Sequence, residues 1–240
     1  MRKGMIWAAG IGALVAAAAA ISEMERVGGR RVELPEQAEA ALRKAPEAER
    51  RMLRRRLEAP FRRLMEDPAM RARLEGLTPD AARAEGARLA RAGIWMLPDS
   101  LLIDRAMLME EIERRVSTED CAAIAAGTPT PGAMERGLAT FDADELTRWF
   151  SLAMDASLRA VRQDPAAEVI SDAEAQRLLR AASRRMPPRL RAMIYEPAAA
   201  AAATPADLCQ IDRHLNRFVI ERGGPEGTGL MRWLMRRMAG

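Results

Sequence analysis

Hydrophobic positions along most of the chain follow the period of an α-helix. Between Pro46 and Leu77, apolar residues recur at three- and four-residue spacing, as expected for a helix with one buried face, at positions Leu53, Leu57, Phe61, Leu64 and Met65. No segment shows a sustained two-residue alternation bounded by hairpin turn residues. The pattern therefore predicts an all-α protein, in which Pro60 and Pro68 kink or break the first amphipathic helix.

Short capping signals mark where later helices begin. Thr78-Pro79 and Thr204-Pro205 each combine an N-terminal capping hydroxyl with a proline at the first helical position. Other segments resemble capping boxes, in which an acceptor side chain precedes an acid by three residues: Ser117 and Asp120, Asp142 and Glu145, Ser171 and Glu174. These starts predict a compact, irregular bundle of roughly seven to nine helices.

One of these helices opens at Pro98. Its residues from Leu101 to Met109 are apolar on nearly every side. A helix without a polar face belongs in a core, so this one is expected to be the most deeply buried of the bundle.

The composition also favours helices. Apolar residues make up 49% of the 240 residues, but aromatic residues make up only 4%. The core is therefore expected to consist mainly of Leu, Met, Ala and Ile. Leu, Met and Ala are good helix formers, whereas the aromatic and β-branched residues that suit strands are sparse.

Arginine supplies nearly all of the positive charge. Lys3 and Lys44 are the only lysines among the 38 basic residues, and the formal net charge is +4. Loss of Arg2 and Lys3 with the first 20 residues would lower the net charge from +4 to +2. This balance predicts no strong electrostatic steering. Abundant Arg and Ala with so little Lys is more typical of genomic base composition than of nucleic-acid binding.

The first 22 residues have the layout of a secretory signal. Arg2 and Lys3 form a positive head, and residues 4–22 run without a charge. Small residues follow the apolar middle, and Ala18-Ala19-Ala20 offers a cleavage site of the A-x-A type. A cleaved signal peptide is one reading of this segment.

An uncleaved membrane anchor is the other reading. Nineteen helical residues reach about 28 Å, just enough for a hydrocarbon core of roughly 30 Å, and residues 5–21 would lie in the membrane. Ala and Gly drive insertion weakly, and arginines follow the segment as well as precede it, so the charge bias is weak. Both readings predict a body outside the cytoplasm, either periplasmic or held at the inner membrane.

The chain is expected to have three parts. Residues 1–22 are the signal peptide or membrane anchor. Residues 23–77 are a linker, marked by Gly28-Gly29, and a charged amphipathic helical arm. Residues 78–240 are the helical globular domain.

Two cysteines, Cys121 and Cys209, lie in the first turns of two capped helices. In an exported chain a pair of cysteines favours a disulfide bond, because the compartment is oxidising. The alternative is two free, buried thiols that behave as small apolar residues. We expect the disulfide, which requires the helices that begin at Ser117 and Thr204 to pack side by side near their N-terminal ends.

Candidate catalytic groups are few. His214 is the only histidine, and its offset of five residues from Cys209 turns the two side chains to different sides of a helix. The spacing of His, Cys and acidic residues fits no metal site, and no catalytic, cofactor or nucleotide-binding motif occurs. Acid pairs such as Asp142/Asp144 and Glu110/Glu111 are more typical of caps and surface ion pairs. We therefore predict no metal and no cofactor.

Arginine clusters between residues 50 and 63 raise the question of a nucleic-acid partner. Interleaved glutamates dilute them, and Phe61 is the only nearby aromatic residue available for stacking on bases. Export would also remove such a partner, so we expect no nucleic acid here. A solvated helix face or anionic lipid head groups fit these clusters better.

The C-terminal helix is the most distinctive feature of the body. Leu230, Met231, Leu234, Met235 and Met238 form one apolar stripe beside Trp233, and Arg232 and Arg236 share another side. A basic amphipathic helix with a Trp binds a membrane surface or a groove on a partner protein. The alternative is a last helix that closes the core.

Together these features predict an exported or membrane-anchored helical protein with a non-catalytic interaction or assembly role in the cell envelope. The alternative is an envelope hydrolase that uses only carboxylates and Arg. A convergent pocket lined by Asp or Glu with shifted pKa values would favour the hydrolase. A broad exposed apolar patch would favour an interaction role.

Overall fold

The computed structural model describes residues 34, 36–126, 132–165 and 169–239. The predicted signal peptide or anchor, residues 1–22, lies outside the described residues. Within the described part of the chain, none of the helices combines the length and the apolar character needed to cross a membrane.

The described residues form thirteen helices and no strand, which confirms the predicted all-α class. In chain order they are α1 (Glu36–Lys44), α2 (Glu47–Glu66), α3 (Pro68–Leu74), α4 (Pro79–Ile94), α5 (Asp99–Arg115), α6 (Thr118–Ala125), α7 (Ala133–Leu138), α8 (Ala143–Arg162), α9 (Asp172–Ser183), α10 (Pro188–Tyr195), α11 (Pro197–Ala201), α12 (Pro205–Arg222) and α13 (Gly224–Ala239).

The number of helices expected from the sequence was too low. Several of the helices are very short, with 7 residues in α3, 6 in α7 and 5 in α11. One or two turns are too few to display a periodic hydrophobic pattern, so the sequence does not distinguish such helices from loops. Pro60 lies inside α2 without ending it, whereas Pro68 opens a new helix.

The predicted N-terminal caps are present. The side chains of Thr78, Ser117, Asp142, Ser171 and Thr204 each accept a hydrogen bond from a backbone N–H in the first turn of the helix that follows. The full capping box forms at Asp142 with Glu145 and at Thr204 with Asp207. At the other two predicted boxes the acid pairs with an arginine, Asp120 with Arg136 and Glu174 with Arg177.

The helices group into two compact units. The first, which we call the α8 unit, contains α1–α4 and α8 and includes the helix pairs α4/α8 and α2/α8. Gly93 of α4 approaches the backbone of Ala156 so closely that a Cβ atom at residue 93 would clash with its carbonyl oxygen. Phe61 and Phe150 pack with ring centroids 5.3 Å apart in the core between α2 and α8.

Asp67 ties α3 to the end of α8. Its Oδ1 accepts a hydrogen bond of 3.0 Å from the N–H of Met70, which caps α3, and its Oδ2 accepts one of 2.9 Å from Nε of Arg162. Burial works against the charged form, but Arg162 and the N–H of Met70 outweigh it, so the pKa of Asp67 lies below its ordinary value.

The second unit, which we call the α12 unit, contains α5–α7 and α9–α13. Its central helix is α12, which packs against α5, α6 and α13. The inner face of α12 carries Ile211, Leu215 and Val219, all buried. The C-terminal helix α13 also packs against α5 and α9.

Candidate functional site

Cys121 and Cys209 form a disulfide bond between α6 and α12, as the sequence predicted. Their Cα atoms are 5.4 Å apart, and both side chains are buried. The bond lies near the N-terminal ends of both helices, one turn past the caps Ser117 and Thr204. Disulfides persist in oxidising compartments, so this bond points to a location outside the cytoplasm.

The bond also decides the chemistry available to Cys209. A bonded sulfur has no thiolate to act as a nucleophile or a metal ligand. His214, half-buried on the same helix, therefore has no thiol partner in Cys209.

The C-terminal helix α13 turns much of its predicted binding surface inward. Leu230, Met231, Arg232 and Trp233 are buried within the α12 unit. Leu234 and Met235 are half-buried and Arg236 is exposed, while the side chain of Met238 lies outside the described residues.

Two polar contacts hold α13 in this orientation. Nη1 of Arg232 donates to Oδ1 of Asp99 at 2.7 Å, and Nε1 of Trp233 donates to Oδ1 of Asp172 at 2.6 Å. Asp99 and Asp172 lie in the first turns of α5 and α9. The buried half of α13 therefore closes the core, and a partner or membrane role for this helix stays a prediction that concerns Leu234, Met235 and Arg236.

A buried polar cluster, which sequence analysis missed, lies between α5 and α12. It consists of Arg105 and Glu113 on α5 and of Asp212 and Asn216 on α12. Nδ2 of Asn216 donates to Oε1 of Glu113 and to Oδ2 of Asp212, both at 3.3 Å, and so links the two carboxyl groups. Nη2 of Arg105 and Oε2 of Glu113 are buried and have no hydrogen-bond partner within the described residues.

The helical period could have revealed part of this cluster. Glu113 follows Met109 by four residues and Ala106 by seven, and both of those residues are buried on the inner face of α5. A charged residue in phase with such a stripe must be buried or must turn the stripe outward. Its partner on α12, by contrast, depends on the packing of two helices that are distant in sequence.

Burial and the neighbouring carboxylate raise the pKa of Glu113 well above its ordinary value. Burial also raises the pKa of Asp212, although its hydrogen bond with Glu113 and the charge of Arg105 work in the opposite direction. The pair therefore holds a proton up to a higher pH than two solvent-exposed carboxyl groups would. Burial lowers the pKa of Arg105 to about 10, so its guanidinium stays charged at neutral pH.

This carboxyl pair offers little to the hydrolase alternative. Glu113 is 2% exposed and Asp212 is 6% exposed, and neither of them lines the two cavities described below. A substrate would have to open the contact between α5 and α12 to reach them. The arrangement instead resembles a buried structural network in which most members have hydrogen-bond partners.

The first cavity is an open groove between α2 and α8 of the α8 unit, with a volume of about 320 Å³. Eight residues line it: Arg56, Ala59, Pro60, Arg63, Thr147, Ser151, Met154 and Asp155. We call it the α2/α8 groove. A second cavity, of about 270 Å³, lies beside Trp233 and Arg236 in the α12 unit and is also lined by Val169, Ile170 and Asp172.

Comparisons of this chain with protein-family models, with curated proteins and with solved structures gave no match.

Removal of the disulfide is expected to lower the free energy of unfolding. The bond closes a loop across 88 residues, and the chain-entropy model gives about 4.6 kcal/mol for a loop of that size, less any strain in the native bond. The double variant Cys121→Ser/Cys209→Ser should therefore unfold at a lower denaturant concentration than the oxidised protein. Reductant should destabilise the wild type and leave the double variant unchanged.

Peptide mapping without reductant provides the direct check of this bond. One cross-linked peptide pair should contain both Cys121 and Cys209. Recovery of the two cysteines in separate, alkylatable peptides from unreduced protein would contradict the assignment.

The raised pKa of Glu113 should make stability depend on pH. A raised native pKa means that the folded state keeps a proton that the unfolded chain loses, so stability falls as pH rises from the ordinary carboxyl pKa of about 4.3 towards the native value. Glu113→Gln has no titrating proton. The unfolding free energy of this variant relative to wild type should therefore rise with pH in that window, by up to about 1.4 kcal/mol per pH unit.

The measurement is denaturant unfolding at a series of pH values. Glu66→Gln, an exposed substitution near the end of α2, is the matched control and should keep the wild-type pH dependence. Parallel curves for Glu113→Gln and wild type would show that the carboxyl pair does not hold the extra proton.

Proposed function

We propose that this protein is exported or membrane-anchored and has a non-catalytic interaction or assembly role in the cell envelope. The observation that carries the proposal is the disulfide bond between Cys121 and Cys209. Such a bond is rare in a reducing cytoplasm and common outside it. The basic head and apolar run of residues 1–22 provide a route of export that agrees with this bond.

The proposed location is the periplasm, or the outer side of the inner membrane if the leader is retained. In the second case residues 5–21 hold the protein in the membrane.

An interaction role is favoured over catalysis because many reactive side chains of the described residues are engaged in bonds that stabilise the fold. Cys209 is consumed in the disulfide, and the carboxyl pair of Glu113 and Asp212 lies between two packed helices. Most acids in the first turns of helices bond either backbone N–H groups or arginines. The disulfide, the buried carboxyl pair and the first-turn acids stabilise the fold, so we infer that the protein works by binding a partner at its surface.

The proposed partner surface is the exposed end of α13. Leu234 and Met235 remain half-buried there beside the exposed Arg236, and the cavity next to Trp233 adds a recess lined by Val169 and Ile170. Apolar side chains next to a cation fit either an amphipathic segment of a partner protein or an anionic lipid. We propose no nucleic-acid partner.

Export can be tested with a reporter fused after Val32. An enzyme that is active only in the periplasm should be active in this fusion, and a reporter that is active only in the cytoplasm should stay inactive. The opposite pattern would overturn the proposed location. Mass spectrometry of the mature N-terminus would then separate cleavage near Ala20 from retention of the anchor.

The partner surface can be tested by photo-cross-linking in living cells. A photoreactive residue at Met235 should give a discrete adduct with an envelope protein or a lipid. Met107, an exposed methionine of α5 in the same unit, is the matched control position and should give no such adduct. Equal labelling at both positions would mean that α13 has no specific partner.

A further inference from the structure

We propose that the α2/α8 groove binds the phosphate group of an anionic phospholipid, with Arg56 and Arg63 as the residues that hold the phosphate. The choice of a lipid as the source of the phosphate rests on the proposed location at a membrane. The groove itself belongs to the α8 unit and is separate from α13 and from the buried carboxyl pair.

The groove places two guanidinium groups along one wall. Arg56 and Arg63 are seven residues apart on α2, which is two helical turns, and both line the cavity. Across from them, Thr147 and Ser151 are one turn apart on α8 and add two hydroxyl groups. Guanidinium groups bind phosphate oxygens through paired, charge-assisted hydrogen bonds. The hydroxyl groups of Thr147 and Ser151 donate to the carbonyl oxygens of Ala143 and Thr147, both at 2.7 Å, so the two arginines are the phosphate donors of this groove.

The acids that now pair with these arginines are weak competitors. Nη1 of Arg56 lies 2.7 Å from Oδ1 of Asp144, and Nη1 of Arg63 lies 2.8 Å from Oδ1 of Asp155. The Arg56 and Asp144 side chains are 46% and 64% exposed, and the Arg63 and Asp155 side chains are 66% and 23% exposed. Ion pairs this accessible to water contribute little stability, so a phosphate can replace the carboxylates at low cost.

The other exposed arginines of α2 lie outside the groove. Arg51, Arg55 and Arg62 are exposed on one side of the helix, together with Glu47 near its start and Glu66 at its end, and Arg62 is paired with Glu58. Arg51 and Arg55 make no ion pair with any described residue. Arg51 and Arg55 therefore serve as control positions on the same helix that do not line the groove.

A phospholipid fits the groove better than a nucleic acid or a free phosphate. Ala59, Pro60 and Met154 give the groove an apolar lining, which suits the glycerol and ester region next to a lipid phosphate. The lining residues include no aromatic side chain on which a base could stack. The volume of about 320 Å³ is enough for one head group.

The test uses the full chain in micelles of a neutral detergent. Phosphatidylglycerol is doped into the micelles, and its affinity is measured by calorimetry beside phosphatidylcholine and soluble glycerol 1-phosphate. Wild-type protein should bind phosphatidylglycerol, and it should bind the other two probes at least about ten-fold more weakly.

Two double variants with equal loss of charge locate the site. Arg56→Gln/Arg63→Gln should weaken phosphatidylglycerol binding by at least about ten-fold, because both phosphate ligands are lost. Arg51→Gln/Arg55→Gln removes the same charge from the same helix outside the groove and should change the affinity by less than about two-fold. Equal losses in the two variants would show diffuse surface attraction and overturn the site.

A single variant should change the affinity in the opposite direction. Asp155→Asn removes the carboxylate that competes for Arg63, so it should tighten phosphatidylglycerol binding by about two- to five-fold. A misfolded variant would not gain affinity, so tighter binding by Asp155→Asn would show that the effect comes from the site and not from loss of the fold. Unchanged or weaker binding by Asp155→Asn would contradict the role of Arg63.

The outcomes separate this proposal from the proposed function. Equal affinity for soluble glycerol 1-phosphate would reject the lipid as the source of the phosphate. A periplasmic reporter signal together with equal losses of affinity in the two double variants would overturn only the phosphate site in the groove. A cytoplasmic reporter signal with the expected behaviour of the variants would overturn only the location.

Discussion

The contact of α12 with α5 and α6 is the interaction on which the α12 unit depends. The Cys121–Cys209 bond joins α12 to α6 near their N-terminal ends, and one turn further along α12 the buried cluster begins at Asp212. The cluster sets strict conditions on this packing, because the Asn216 amide on α12 must reach both Glu113 and Asp212. The covalent bond and the polar cluster thus specify how these helices meet, while the apolar side chains supply most of the driving force.

Some arginines of the described residues join one helix to another. In several places an acid at the start of one helix bonds an arginine from another: Asp67 with Arg162, Asp120 with Arg136, Asp207 with Arg189, and Asp99 with Arg232. A carboxylate at a helix N-terminus is already stabilised by the helix dipole and by unpaired N–H groups. An arginine added from a neighbour therefore satisfies the acid and fixes the angle between two helices. These four arginines therefore have a structural role that needs no polyanionic partner.

The burial of the partner acid also distinguishes Arg56 and Arg63 in the α2/α8 groove from Arg162 in the same unit. Arg162 is bound to a carboxylate that is itself buried, so its exchange for an external anion would leave Asp67 without its partner. Arg56 and Arg63 are bound to carboxylates that water reaches. Burial of the acid, rather than the number of arginines, thus decides which arginines are available to a ligand. For the same reason, a count of basic residues in the sequence is a poor guide to binding.

The sequence by itself determined the helical class, the N-terminal caps and the pair of cysteines, because these depend on local periods, on first-turn chemistry and on a count of two. It did not reveal the shortest helices, since α7 and α11 are too short to show a period. The helix that opens at Pro98 shows the limit most clearly: α5 exposes Met107 and buries Arg105, the reverse of what hydrophobicity alone predicts. Only tertiary structure placed Asp212 and Asn216 against Glu113, turned Trp233 inward, and brought α2 and α8 together around a groove. Each of these contacts joins residues that are far apart in the chain, and their proximity depends on how whole helices pack.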